Sequence, residues 1–283
     1  MLPVPQQLLK RRLDRLVETF DLSTLHPDPL ELPRRYGDPR DQEVAALLAA
    51  AFAYGRAATV VENIGTVLDR MGPSPWEHLR GFDPRTARRR FSGFSHRFHK
   101  SADLVALLGC LAAAIRERGT LGALFESSYG ADDEDIGPSL SRFVARLIAF
   151  APRRRPSLHY LLTSPEDGSA CKRMNLFLRW MIRREEPDLG LWRFADPAKL
   201  VVPLDTHIHR ITGFLGMHQR KSADWKTARA VTDHLLRLDP ADPVRYDFAI
   251  CRLGILDLCS RRQRKELCDV CLLRDVCRLR VNA

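Results

Sequence analysis

Residues 44–54 are apolar almost without interruption and lie between two helix signals. Upstream stands Asp38-Pro39-Arg40-Asp41: a capping carboxylate, a proline at the first helical position and an acid in the first turn. Downstream stands Gly55. A helix over roughly 39–54 that is apolar nearly all round can only be stable at the centre of a fold, covered on every side. Other elements must therefore be long enough and apolar enough to wrap it. The rest of the chain supplies them. A second helix runs to about Met71 and stops at Gly72-Pro73, and a third starts at Ser101 and stops at Gly119. Further helices are expected near 138–150, 169–184, 206–215, 222–238 and 243–256, with Ser222 capping the one at 222–238. No alternating strand and no hairpin signal is evident. The segment 131–138 reads as an acidic surface loop and 152–156 as a break. The expected fold class is all-α.

The longest apolar runs, 44–54 and 104–115, fall well short of the ~20 residues that span a bilayer. The first fifteen residues carry several basic side chains and no signal-peptide pattern. The expected setting is soluble and cytoplasmic, without a membrane partner. The 283 residues carry 45 Lys plus Arg against 35 Asp plus Glu, a formal charge of +10. Such a balance favours a polyanionic partner.

Seven cysteines are present, and four crowd the end of the chain in the pattern C-x8-C-x2-C-x5-C: Cys259, Cys268, Cys271 and Cys277. An odd total with a tight cluster argues against a disulfide framework and for a metal centre. Zinc accepts four thiolates and so does a four-iron–four-sulfur cluster, so softness alone leaves both open. The segment from Cys251 onward holds eight basic and four acidic residues, among them Arg261, Arg262, Arg264 and Arg280. A metal-stapled loop of this charge suits phosphate contacts.

Two further segments stand out: Gly168-Ser169-Ala170-Cys171-Lys172-Arg173, and Leu204-Asp205-Thr206-His207-Ile208-His209-Arg210. Taken with the cysteine loop, they resemble the helix-hairpin-helix DNA glycosylase superfamily, in which endonuclease III carries the iron–sulfur loop. More narrowly, the chain looks like an uncharacterised bacterial family on that scaffold. Lys172 stands at the place of the lysine nucleophile, four residues after Gly168, and Asp205 at the place of the aspartate in V-D-T-H-I-x-R. Thirty-three positions separate them, which is closer to archaeal 8-oxoguanine glycosylases than to endonuclease III. Two departures are visible. The Leu-Pro-Gly-Val-Gly hairpin is replaced by Thr163-Ser164-Pro165-Glu166-Asp167-Gly168, and the first cysteine gap is eight residues instead of six.

The resemblance implies a two-lobed helix-hairpin-helix glycosylase fold with a C-terminal iron–sulfur loop. Its lobes would be 30–160, then 1–29 with 161–258, followed by the cluster loop 259–283. The segment before Asp38 would return, strand-like, to the C-terminal lobe. The implied activity is base-excision repair of oxidised bases, 8-oxoguanine among them, with AP-lyase action on double-stranded DNA. The enzyme would act as a nucleoid-associated monomer. Lys172 would attack C1′ with its neutral amine, helped by the neighbouring charge of Arg173, and Asp205 would stabilise positive charge on the sugar. Gln42, Tyr54, Arg56, Gly168, Arg173, Trp192 and His207 are candidates for the base pocket or for DNA contact. A four-iron–four-sulfur cluster would sit on Cys259, Cys268, Cys271 and Cys277, with zinc as the alternative. The other functional readings are a non-catalytic nucleic-acid-binding protein and a structural-zinc protein.

Overall fold

The computed structural model describes residues 6–279, so Arg280 lies outside the described residues. The described residues form fourteen α-helices: α1 (Gln6–Thr19), α2 (Pro39–Ala51), α3 (Ala57–Met71), α4 (Pro75–Arg80), α5 (Pro84–Arg90), α6 (Ser101–Arg118) and α7 (Leu121–Glu126) come first. They are followed by α8 (Gly137–Ala149), α9 (Pro156–Leu161), α10 (Lys172–Ile182), α11 (Thr206–Phe214), α12 (Trp225–Leu236), α13 (Asp247–Ile255) and α14 (Lys265–Cys268). The fold is all-α. Among the described residues no helix is long and apolar enough to cross a membrane.

Helix α2 is the axis of the molecule. The Asp38 carboxylate accepts the Arg40 amide at 2.8 Å, and Pro39 occupies the first turn. Every residue from Val44 to Phe52 is fully buried. The helix ends at Ala51, three residues before its apolar run does. Ala53 and Tyr54 bond back to Ala50 and Phe52 instead, and Gly55 turns the chain at φ +94°. That early exit frees the Ala53 carbonyl for a contact that matters below. Helix α2 packs most extensively against α10, so the two segments with the sharpest sequence signals are physical neighbours.

The segment before Asp38 is helical rather than strand-like. Leu9, Leu13 and Leu16 recur at helical spacing and are buried. Helix α1 packs against α13, which joins the two ends of the chain. A two-residue-per-strand hairpin is also present: β1 (Ser95–His96) pairs antiparallel with β2 (His99–Lys100). Its turn holds Arg97 at φ 54° and the exposed Phe98. Two residues of alternation are too few to read from sequence. The cap of α12 is Asp224, whose carboxylate accepts the Thr227 amide at 2.8 Å, and not Ser222, whose carbonyl accepts the Thr227 hydroxyl. The acidic loop before α8 is pinned rather than free: Ile136 is fully buried and Asp135 pairs with Arg229.

Helix α10 is also held by buried charge, two turns beyond Lys172. Arg179 meets Asp188 at 3.0 Å and also pairs with Asp247. Arg183 meets Asp188 at 3.2 Å and Asp242 at 2.8 Å. These side chains are almost fully withdrawn from water, apart from Asp242.

Candidate active site

A cleft of about 800 Å³ opens beside α10 and α11. Lys172 and Asp205 both line it, although thirty-three positions separate them in sequence. The local structure explains how each is aimed. Cys171, just before α10, is held in the left-handed region at φ 49°, a conformation that costs a non-glycine residue energy and recurs at functional sites. It turns the chain so that Lys172 begins the helix facing α2. The Lys172 ammonium then donates to the freed Ala53 carbonyl at 3.0 Å. Asp205 caps α11, with Oδ1 accepting the His207 and Ile208 amides at 2.8 and 2.7 Å. Its other oxygen accepts the Cys251 thiol at 3.4 Å. One carboxylate oxygen is thus fixed by the helix N-terminus, and its neighbour sits beside a soft donor at the cleft.

Tyr54, Arg56, Arg173 and His207 line the same cleft. The Arg173 guanidinium lies 4.3 Å over the Tyr160 ring and 5.3 Å over Tyr54, and donates to Ala51. Burial pushes its pKa down. Tyr54 bonds His99 Nδ1 at 2.5 Å, and burial raises its phenol pKa. His207 presses on α13 where a Cβ at Gly254 would come within 2.0 Å of its ring, so only glycine fits that position.

Three pocket candidates lie elsewhere. The Trp192 indole is buried in the core, stacked on Phe125, and donates to Glu43 at 2.7 Å. Glu43 also takes the Leu121 and Gly122 amides, and its burial raises its pKa. A large aromatic with an N–H partner inside the core is a packing residue. The Gln42 amide donates to the Tyr36 carbonyl, away from the cleft. Gly168 ends a short 3₁₀ turn at φ +72°, is exposed, and gives its carbonyl to the Trp225 amide.

The cleft floor also holds residues that carry no sequence signal. Asp28, Asp247, Cys251 and Arg252 line it with Arg179. Burial raises the Asp28 pKa, opposed by the charges of Arg179, Lys172 and Arg252. Burial raises the Cys251 thiol pKa as well, and Asp205 and Asp247 add to it. Asp247 is pushed up to about 7, first by burial, against the pull of Arg179. A raised folded-state pKa means that the folded chain keeps a proton the unfolded chain has lost. That contribution is complete below the ordinary carboxylate range and disappears as pH rises through about 7. Thermal melts between about pH 5 and about pH 8 should therefore show wild type losing more stability with rising pH than Asp247→Asn does. Parallel slopes would contradict the assignment.

At the C-terminus, Cys259, Cys268, Cys271 and Cys277 together line one small cavity of about 40 Å³, with Leu258, Leu267 and Leu279 around it. Burial raises the thiol pKa values of Cys259, Cys271 and Cys277. Among the described residues no three His, Cys, Asp or Glu side chains form a group able to hold a metal ion. Four thiols lining one cavity are a soft donor set of the kind that zinc and iron–sulfur groups both accept.

The family model described as "Protein of unknown function (DUF2400)" matches residues 28–256, and the chain belongs to that family. No curated protein and no solved structure matches it. Membership of the helix-hairpin-helix glycosylase superfamily, read from sequence, is thereby corrected: DUF2400 is a distinct family, and no glycosylase family matches. The motifs behind that reading cover few residues, and each also has a local job here, as in the Asp205 cap of α11 and the Gly168 turn.

Proposed function

We propose that this DUF2400 chain removes oxidised bases from double-stranded DNA and then cuts the abasic strand, as a DNA glycosylase with AP-lyase activity. The observation that carries the reading is the meeting of an amine, Lys172, and a fixed carboxylate, Asp205, in one cleft of about 800 Å³. That volume admits a flipped-out nucleotide, and a base inside a duplex must be extruded before its sugar can be reached. The Lys172 amine forms a bond to C1′ as the glycosidic bond breaks, and the base leaves with the bonding electrons and takes up a proton. Ring opening gives an iminium. Loss of a C2′ proton then expels the 3′ phosphate oxygen and nicks the strand. Asp205 faces the positive charge that develops on the sugar. Its capped oxygen holds it in place, so no reorganisation is needed as the charge appears.

The net charge of +10 supports a polyanionic partner. Arg261, Arg262, Arg264 and Lys265 are exposed beside the cysteine cavity, where they are free to meet phosphates. Cys259, Cys268, Cys271 and Cys277 would hold a four-iron–four-sulfur cluster, whose contribution there is to brace that basic loop.

Two measurements test the reading. Duplexes carrying single lesions, 8-oxoguanine and thymine glycol first, should lose the base and gain a nick, while undamaged duplex stays whole. Intact strands across the panel would overturn it. For the loop, protein purified without oxygen should be brown and hold about four irons with acid-labile sulfide per chain, and Cys271→Ser should lose the colour. A colourless protein with one zinc per chain would replace the cluster by a single ion.

A further inference from the structure

Residues 84–102 hold six Lys or Arg and no Asp or Glu. The stretch folds into α5, a turn, and the hairpin of β1 and β2. Arg85, Arg88, Arg89, Arg90, Arg97 and Lys100 are all exposed. On α5, Arg85, Arg88 and Arg89 stand at i, i+3 and i+4, so they share one face, away from the buried Ala87. Like charges at that spacing destabilise a helix. A cation in the last turn suits the helix dipole, but Arg85 is in the first turn, where the dipole opposes it. Among the described residues, Arg56, Arg85, Arg88, Arg89 and Arg97 form neither an ion pair nor a side-chain hydrogen bond. The fold does not account for the set.

Helix α3 locates this face. At its C-terminal end, Arg70 Nη1 donates to the Arg90 and Ser92 carbonyls at 3.4 and 3.3 Å, and Arg90 Nη1 donates to the Arg70 carbonyl at 3.0 Å. Midway along, the Asn63 amide meets the Ser95 carbonyl at 3.4 Å and His96 Nδ1 at 3.0 Å. At its N-terminal end, the Arg97 side chain lies 3.4 Å from where a Cβ on Gly55 would stand. Gly55 and Arg56 line the cleft. The basic stretch therefore runs antiparallel to α3 and carries its charges from the far end of that helix to the cleft. Helix α3 has 15 residues, a length of about 22 Å. That equals about six base pairs of a duplex at ~3.4 Å each.

The acids that bound the stretch are engaged. Asp83 accepts the Thr86 amide at 2.7 Å, and Asp103 accepts the Lys100 amide at 2.9 Å. Helix α3 adds Arg56 and Arg70 against Glu62 and Asp69, and Asp69 meets Arg35 at 3.8 Å. Free cations spread along a line, instead of gathered in a pocket, suit a rod of evenly spaced phosphates.

We infer that α5, the hairpin and the adjoining side of α3 form a bed for one arm of a DNA duplex, contacting its phosphates over about six base pairs on one side of the nucleotide in the cleft. This rests on the proposed action on DNA and places that partner's duplex on the chain. The arginines of α5 lie at the far end of the bed, so they meet the outer half of the arm.

The test uses the full chain and duplexes carrying tetrahydrofuran, an abasic sugar that the lyase step cannot cut. One duplex has about twelve base pairs on each side, and two others keep only about three on the 5′ or the 3′ side, fewer than the bed covers. Shortening one particular arm should weaken wild-type binding about tenfold or more and lower the slope of log affinity against log salt by about two to three. The chain with Arg85→Gln, Arg88→Gln and Arg89→Gln should show that lower slope already on the long duplex. Shortening the same arm should then cost it little, while shortening the other arm should cost it as much as it costs wild type. Should a thermal melt show that the triple variant does not fold, Arg89→Gln alone is read in the same way, with a slope change of about one. A variant slope equal to wild type, or equal losses in both chains from each shortening, would overturn the inference. Binding to tetrahydrofuran breaks no bond, so an absence of base removal or cutting counts against the proposed chemistry alone.

Discussion

A Lys172→Ala chain is expected to lose strand cutting at an abasic site by at least about a thousandfold, because the atom that forms the covalent bond is gone. Its affinity for the same duplex should fall far less. Lys172 begins α10 and lies at the cleft surface, where, among the described residues, its side chain bonds the Ala53 carbonyl alone. When it is removed the buried Asp28 still has Arg179 and Arg252 nearby, so the fold should survive and the loss should be one of rate. Asp205→Asn separates charge from structure in the same way. Asparagine caps helices about as well as aspartate, so α11 should keep its start while the rate falls, on the order of a hundredfold. Single-turnover rates with saturating enzyme distinguish these outcomes from weakened binding. If Lys172→Ala cuts at the wild-type rate, another group does the chemistry.

The second large effect is on stability. Replacing Arg179 by methionine should cost about 3–5 kcal/mol in urea unfolding, the loss seen when one partner of a buried ion pair is removed. The side chains of Arg179, Asp188 and Asp247 are each under 5 % exposed. Without the guanidinium, among the described residues Asp247 loses its one ion-pair partner and Asp188 keeps Arg183 alone. A matched control is the exposed pair of Arg80 and Glu77, where Glu77→Ala should change nothing measurable. The Arg179 network joins α10 to α13, the two helices that carry Lys172 and Cys251 into the cleft. A milder variant such as Arg179→Lys should therefore disturb cleft function before it unfolds the chain. An Arg179→Met chain as stable as wild type would show that the network is not what holds α10.

The helical skeleton was largely legible because its signals are local. Asp38-Pro39 starts a helix, and Gly72 and Gly119 end helices at φ +91° and +83°, wherever the rest of the chain goes. The short helices α4, α5, α7 and α9 escaped notice because two turns give too little periodicity. Lys172 and Asp205 were found as sequence landmarks, and the cleft they share depends on α2 stopping at Ala51, which no local pattern announces. Trp192 shows the opposite failure. An aromatic in an irregular segment looks available for a pocket, but Glu43, some 149 positions away, takes its N–H and seals it in the core. Asp28, Asp247 and Arg252 illustrate the same limit from the other side. They meet on one cleft floor only once the chain is folded, and a shared cleft has no local sequence signature. The family match adds no activity, so the chemistry rests on the cleft.

The central claim is that the Lys172 amine becomes covalently bonded to the sugar of damaged DNA. The most direct measurement is to incubate the full chain with an abasic duplex in borohydride, digest the protein, and locate the reduced adduct by mass spectrometry. The account predicts a single sugar-modified peptide that contains Lys172 and carries the modification on that residue. No adduct, or an adduct on any other lysine or on the N-terminal amine, would contradict it.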